Sequence, residues 1–338
     1  MSHPVERAWA TDGVAVRLLA PLAWAFGAVT ALRNLAFDRG VLRARSLGMP
    51  AISVGNLSVG GTGKTPVAAW VAQRLLARGL PTAILLRGYG ADEPLVHAEL
   101  TPQAIVVADP DRARGAAIAR SRGARVAVLD DAFQHRQARR DADLVLLAAE
   151  RVGSQRLLPA GPFRELPRAL RRAHAVIVTR KSADRATAEQ VLTEALRWAP
   201  GAAGAVVALR PGALRRVGTE AVPEERSLDD LRGARVLAVS AIGAPAAYEA
   251  QLAAAGASVV PAAYGDHHAF SAADVATLVR RAEGCALVVC TLKDAVKLAP
   301  LWPRQGPALW YLSQTVVVER GAEALDALLS RAVAAAVP

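Results

Sequence analysis

The chain has 338 residues, a hydrophobic fraction of 53% and a net charge of +11. That length exceeds one ordinary domain, so two domains with packed cores are expected. The only cysteines, Cys285 and Cys290, exclude a disulfide scaffold and fit neither a CxxC redox pair nor a zinc knuckle; they flank an apolar run and read as small core residues. The positive charge points to an anionic partner: nucleic acid, anionic lipid or a phosphorylated substrate.

Residues 1–45 carry six Arg against three acids. Within them, residues 18–32 form an uncharged run of 15 between Arg17 and Arg33, short of the roughly 20 apolar residues that span a bilayer. Pro21 and Gly27 argue against one straight helix. Ala23-Trp24-Ala25 resembles a signal-peptide cleavage site, but the stretch before it is poorly basic. Trp9, Trp24, Phe26 and Phe37 with flanking Arg suit a bilayer interface; a buried N-terminal helix is the structural alternative.

Apolar strand candidates follow at 51–54, 83–86, 104–107, 126–129, 144–147 and 175–178. They alternate with helices at 66–78, 111–122 and 186–198, the pattern of a parallel sheet covered on both faces. Residues 210–232, with several Pro, Gly and charges, read as linker. The alternation then restarts, with strands at 236–239, 258–260 and 287–289 and helices at 245–255, 272–283 and 322–335. The expected fold is α/β: an N-terminal apolar helical segment (1–45), a P-loop NTPase-like domain (46–212), a linker (213–232) and a smaller α/β domain (233–338).

The strongest local signal is Ser58-Val59-Gly60-Gly61-Thr62-Gly63-Lys64-Thr65. It follows a strand and opens a helix, the context of a phosphate-binding loop. Its glycines let backbone N–H groups face the phosphates, and the helix directs its positive end at them. Lys64 is expected to reach the β- and γ-phosphates, and Thr65 to bind Mg²⁺. The leading glycine of the usual pattern is Ser58. The strand at 126–129 ends in Asp130-Asp131, and both acids are expected, with Thr65, to organise Mg²⁺ beside such a loop. No Asn-Lys-x-Asp string occurs, and Asn34 and Asn56 are the only asparagines, so ATP rather than GTP is the expected nucleotide.

Several strings, in order, resemble the tetraacyldisaccharide 4′-kinase family. Beyond the loop, with Gly55-Asn56-Leu57 before it, they are Arg87-Gly88-Tyr89-Gly90, Asp92-Glu93-Pro94 and Asp130-Asp131-Ala132-Phe133-Gln134-His135. Next come Leu158-Pro159-Ala160-Gly161-Pro162-Phe163-Arg164-Glu165, Ile242-Gly243-Ala244-Pro245, Asp266-His267-His268-Ala269-Phe270 and Lys293-Asp294-Ala295-Val296-Lys297. Family members tolerate Ser at the position of Ser58. Three positions depart: Ala132 replaces Gly, Ala244 replaces Asn, and Leu292 replaces the Glu of Thr-Glu-Lys-Asp.

The resemblance implies transfer of the γ-phosphoryl of ATP to the 4′-hydroxyl of an acylated glucosamine disaccharide 1-phosphate, giving lipid IVA. It places the work at the cytoplasmic face of the bacterial inner membrane. It implies Asp92 as the base, assisted by His267, with Lys64 on the phosphates. Asp92 would otherwise read as a solvated loop acid. Glu93, Gln134, His135 and Arg164 are expected on the substrate side, although His135 reads equally well as a hydrogen-bonded core residue. Arg168, Arg171 and Arg172 fall on one helical face behind Pro167, either solvated or holding lipid phosphate. An anionic membrane surface is the expected partner; neither nucleic acid nor a protein partner is implied. Two other readings share the nucleotide loop: a kinase of a soluble phosphorylated metabolite, and a nucleotide-gated membrane-associated ATPase.

Overall fold

The computed structural model describes residues 9, 14–88, 90, 92–150, 155–218 and 224–334. Tyr89, most of residues 1–13 and positions 219–223 of the expected linker lie outside the described residues. The chain forms two compact units. The first comprises the described residues up to Leu209 together with those from Val316 onward; the second is Arg210–Thr315.

In the first unit, short helix α1 (Val14–Leu18) leads into α2 (Ala20–Asp38). Contrary to expectation, α2 is continuous. Pro21 falls in its first turn, where no backbone donor is needed. Gly27 allows a close approach, since a Cβ there would lie 2.7 Å from Leu157 Cδ1. Most large apolar side chains of α2 face outward, and among its residues Ala23 is the buried one. No helix among the described residues is long and apolar enough to cross a membrane.

Then come β1 (Ala51–Asn56), α3 (Lys64–Leu76), β2 (Thr82–Leu86), α4 (Asp92–Leu100), β3 (Ile105–Ala108), α5 (Arg112–Ser121), β4 (Val126–Asp130), β5 (Ala142–Ala148), β6 (Ala175–Arg180), α6 (Arg185–Leu196) and β7 (Ala203–Arg216). The strands lie in the order β7-β6-β5-β1-β4-β2-β3. Each of these neighbours pairs in parallel. Strands β1, β2, β4 and β5 read as continuous apolar runs because both faces are covered. On one face Ile52, Val54 and Leu144 meet Val67, Val71 and Leu75 of α3. On the other, Phe133, Val176 and Val178 meet Leu192 of α6. The order reverses at β1: β4 lies on one side with Asp130 opposite Val54, and β5 on the other. Ligands of such sheets bind beyond the carboxyl ends of the strands at that reversal.

The second unit takes the later part of β7, then β8 (Glu225–Arg226), β9 (Arg235–Ser240), α7 (Pro245–Ala254), β10 (Ser258–Ala263), α8 (Ala272–Arg281), β11 (Leu287–Thr291), α9 (Leu292–Leu298) and the start of β12 (Leu309–Arg320). Its strands β10-β9-β11-β12 pair in parallel. Helix α8 opens with a capping box in which Ser271 and Asp274 satisfy each other's backbone donors. Cys290 is buried in this core, and Cys285 packs half-buried against it.

Two expected boundaries change. Residues 210–216 are not linker but the second half of β7, and Ser313 Oγ donates to the Ala213 carbonyl at 2.7 Å. The C-terminal helix α10 (Ala322–Ala332) does not belong to the smaller unit. Its Leu325, Leu328 and Leu329 are buried in the core that covers β1 and α3. The apolar stripe of α10 is plain in the sequence, but its period does not say which sheet it covers.

Candidate active site

The loop from Ser58 to Thr65 starts where β1 ends and is held by hydrogen bonds on every side. Asn56 Nδ2 donates to Thr62 Oγ1 at 2.9 Å. Thr179 Oγ1, from β6, donates to the Thr62 carbonyl at 2.9 Å. Val59 N–H donates to the Pro162 carbonyl at 2.8 Å. Gly60 and Gly63 have φ of 98° and 79°, values that favour glycine; a Cβ on Gly63 would also strike Leu209. Ser58 is not left-handed; it forms a bridge with Phe163, so a glycine is not needed there. Lys64 and Thr65 open α3, whose N-cap Gly63 supplies no side-chain cap, so the positive end of the helix faces the loop.

The parallel sheet brings the carboxyl end of β4 to the same edge. Asp130 is almost fully buried. Its Oδ2 accepts from Thr65 Oγ1 at 3.3 Å and lies 2.8 Å from His97 Nε2. Its Oδ1 is buried with no hydrogen-bond partner. Burial pushes this carboxyl up, but the His97 hydrogen bond and the charges of His97 and Lys64 outweigh it and hold the group below the ordinary carboxylate range. Asp131 adopts φ of 50°. Its two carboxylate oxygens accept from Arg164 Nη1 at 3.0 and 2.9 Å, and Lys64 Nζ stands 3.7 Å away. Arg164, expected on the substrate side, is thus placed against Asp131.

Asp92 is not in a loop. It opens α4, where a carboxylate suits the helix dipole, followed by Glu93. Gly90 leaves room for it, since a Cβ there would meet Asp92 Oδ1. Gln134 ties the site together: its Nε2 donates to the Asn56 carbonyl at 2.8 Å, and its own carbonyl accepts from Arg33 at 3.0 Å. His135 is half-buried; burial first, then the charges of Arg112, Arg87, Arg140 and Arg33, push its pKa down to about 4. It is therefore neutral at pH 7, within a cationic surround suited to an anion.

Arg168, Arg171 and Arg172 line a groove of about 420 Å³ with α2 residues including Asn34 and Asp38. The helix behind Pro167 is a short 3₁₀ turn. Arg171 bonds Asp38 at 2.8 Å, and Arg172 bonds the buried Glu165 at 2.9 Å.

In the second unit, His267 sits between β10 and α8 with φ of 58° and a largely exposed side chain. The loop around it is anchored by the Lys-Asp motif. Lys297 Nζ donates to the His268 carbonyl at 3.2 Å and pairs with buried Asp294 at 2.9 Å. Asp294 in turn accepts from Ala241 N–H at 2.9 Å. Leu292 packs against the core of this unit and does not replace the carboxylate that the resemblance expects. Ala132 is fully buried, whereas Ala244 leaves the N-terminus of α7 without a side-chain cap.

Sequence reading missed His97, Arg112 and Thr179. The signal for His97 was available: one histidine among apolar residues five positions after Asp92. It was passed over because 92–100 was not recognised as a helix.

A profile of the family described as tetraacyldisaccharide-1-P 4′-kinase matches residues 15–92 and 91–334. The tetraacyldisaccharide 4′-kinase of Anaeromyxobacter dehalogenans (strain 2CP-C) is 43% identical, over 90% of this chain and 87% of its own. That of Geobacter metallireducens is 35% identical, over 87% and 92%. A crystal structure of the "apo" form of LpxK from Aquifex aeolicus in complex with ATP superposes with a TM-score of 0.76 at 28% identity, covering 95% of this chain and 100% of that one.

Proposed function

The chain belongs to the tetraacyldisaccharide-1-P 4′-kinase family, and from that premise we infer how its residues serve the reaction. It is an ATP-dependent kinase that phosphorylates the 4′-position of the lipid A precursor. The observation that carries the reading is the juxtaposition of Lys64, Thr65 and Asp130 at the reversal of the sheet.

Amides of the glycine-rich turn from Gly60 to Thr65 cradle the phosphates of ATP, while the Val59 and Thr62 N–H groups hold the loop itself, and Lys64 neutralises charge on the transferred group. The residues present fit Mg²⁺: Thr65 Oγ1 and the unpartnered Asp130 Oδ1 are hard oxygen donors on one edge. When bound, the ion would draw charge from the β- and γ-phosphates. Asp131 and Arg164 fix the position of Lys64 from its other side. The 4′-hydroxyl oxygen attacks the γ-phosphorus, its proton passes to the Asp92 carboxylate, and ADP leaves with the bridging oxygen's electron pair. The cationic surround of His135 suits the substrate's own phosphate.

The outward apolar side chains of α2 dock on the cytoplasmic face of the inner membrane, which presents the acylated substrate. The arginines beside α2 favour an anionic leaflet. A kinase of a soluble metabolite would leave that apolar face without a use.

The test is incubation of the purified full chain with labelled ATP and tetraacyldisaccharide 1-phosphate in micelles, with and without Asp92→Asn. Loss of a positioned base is expected to cut turnover by roughly 10²–10⁴-fold and to spare ATP binding. Loss of ATP binding, or unchanged turnover, would overturn the role of Asp92. Absence of labelled lipid with the native chain would overturn the substrate assignment.

A further inference from the structure

Helix α4 carries an anomaly one and a half turns beyond Asp92. His97 is fully buried in a stretch where Leu would fill similar space. Its Nδ1 has no hydrogen-bond partner, and a buried polar atom left unpaired costs about 1–3 kcal/mol. Packing alone would select against such a residue. What offsets the cost is Nε2, which stands 2.8 Å from Asp130 Oδ2. A carboxylate is an acceptor, so Nε2 carries the hydrogen and donates.

We propose that His97 is a positioning residue that fixes the rotamer of Asp130, so that Oδ1 is held out toward the nucleotide's divalent cation, and that it ties the helix of Asp92 to the metal-binding strand. The proposal rests on the reading of Thr65 and Asp130 as the Mg²⁺ site. Its geometry is independent of that reading. Asp130 Oδ2 is already engaged by two donors, His97 Nε2 and Thr65 Oγ1, whereas Oδ1 has none. The two oxygens are thereby given different tasks. A carboxylate at a strand end has two soft side-chain torsions, and a hydrogen bond from a rigid imidazole removes that freedom before the cation arrives. The same bond spans two elements. Asp92 opens α4 and His97 lies five residues on, about 7.5 Å along the axis, while Asp130 ends β4. A shift of α4 that moved the candidate base would strain this bond. The placement of the base and of the metal ligand is therefore coupled.

The experiment compares the native full chain with His97→Leu, which keeps volume and removes the donor, and His97→Gln, whose amide nitrogen occupies the place of Nε2. Mn²⁺ affinity is read by electron paramagnetic resonance in the presence of a non-hydrolysable ATP analogue. Affinity for the analogue without metal is read by calorimetry, and the Mg²⁺ dependence of turnover alongside.

Removing a group that orients a metal ligand costs about 10–100-fold in metal affinity. The Leu variant is expected to lose that much Mn²⁺ affinity, to need correspondingly more Mg²⁺, and to bind metal-free analogue as the native chain does. The Gln variant should recover most of the loss. Native Mn²⁺ affinity in the Leu variant would overturn the proposal. So would equal loss of metal-free analogue binding in both variants, which marks a packing role. If the Leu variant does not fold, Gln is compared with Asn, whose shorter amide does not reach Asp130; equal Mn²⁺ affinity in those two overturns it. Failure of the native chain to show metal-dependent binding would instead sink the Mg²⁺ site, and this inference with it.

Discussion

Around the phosphate loop, Asn56, Thr62 and Asp130 are withdrawn from water and held by hydrogen bonds. Along α2, in the same unit, Trp24 is 76% exposed, Leu22 59% and Leu32 69%. One region buries polar groups and the other exposes apolar ones, each against the ordinary preference. The first is stable because each inward group but a few finds a partner; the buried, unpaired Asp130 Oδ1 is the atom proposed above for the cation. The exposed apolar side chains of the second gain little from the chain's own fold. Their exposed faces only acquire a favourable energy in contact with another apolar phase. The proposed completions differ accordingly: a small charged ligand for the loop, an apolar surface for α2.

The largest effect that should tell the two apart comes from Lys64→Met. It removes the cation from the loop and leaves α2 untouched. Loss of a preorganised charge at the transferred group is expected to lower turnover by roughly 10²–10³-fold. Sedimentation with anionic vesicles should be unchanged. A variant that lost vesicle binding together with turnover would show that the two regions are not separate devices.

Next in size is the reciprocal change. Leu22, Val29 and Leu32 lie on one side of α2, exposed. Replacing Leu22 and Leu32 by Ser removes about 1.4 kcal/mol or more each of transfer into lipid, hence about 100-fold in vesicle affinity. Calorimetric affinity for ATP should stay as in the native chain. Unchanged vesicle binding would remove α2 as the docking face.

The same contrast explains what was legible in the sequence. The loop is a local object: glycines, Lys64 and Thr65 adjoin one another, and the strand before and helix after them are read by period. Asp130 also announces itself, as an acid at the end of an apolar strand. The partners that complete the site do not. Thr179 reaches Thr62 from 117 positions away, and His97 reaches Asp130 across 33. Such pairs are set by strand order, which alternation alone does not determine. The second half of β7 was missed because Pro211, Gly212 and flanking charges mimic linker composition. Helix α10 was seen, but its docking on the first unit follows from the return of β12, not from its own stripe. For α2 the charge and aromatic content were legible, whereas its continuity through Pro21 and Gly27 depended on a first-turn position and a close contact with Leu157.

The smallest effect is electrostatic and concerns His135, where the cationic surround should be measurable without substrate. Burial and the nearby Arg112, Arg87, Arg140 and Arg33 lower its pKa from 6.5 to about 4. In the unfolded chain the imidazole takes up a proton near its ordinary value; in the folded chain it does so only near pH 4. Between those values the unfolded state binds more protons, so stability rises with pH across the window and is lost as pH falls through it. Above about pH 6.5 both states are neutral there and the contribution is flat. His135→Gln keeps a polar side chain that does not titrate. The variant is expected to show a shallower fall in denaturation midpoint from pH 6.5 to 4.5 than the native chain, with the two curves parallel above pH 7. A steeper fall, or the same fall in both, would mean that the arginines do not act on this histidine. The proposed cationic pole for the substrate's phosphate would then have to be sought elsewhere on the carboxyl edge of the sheet.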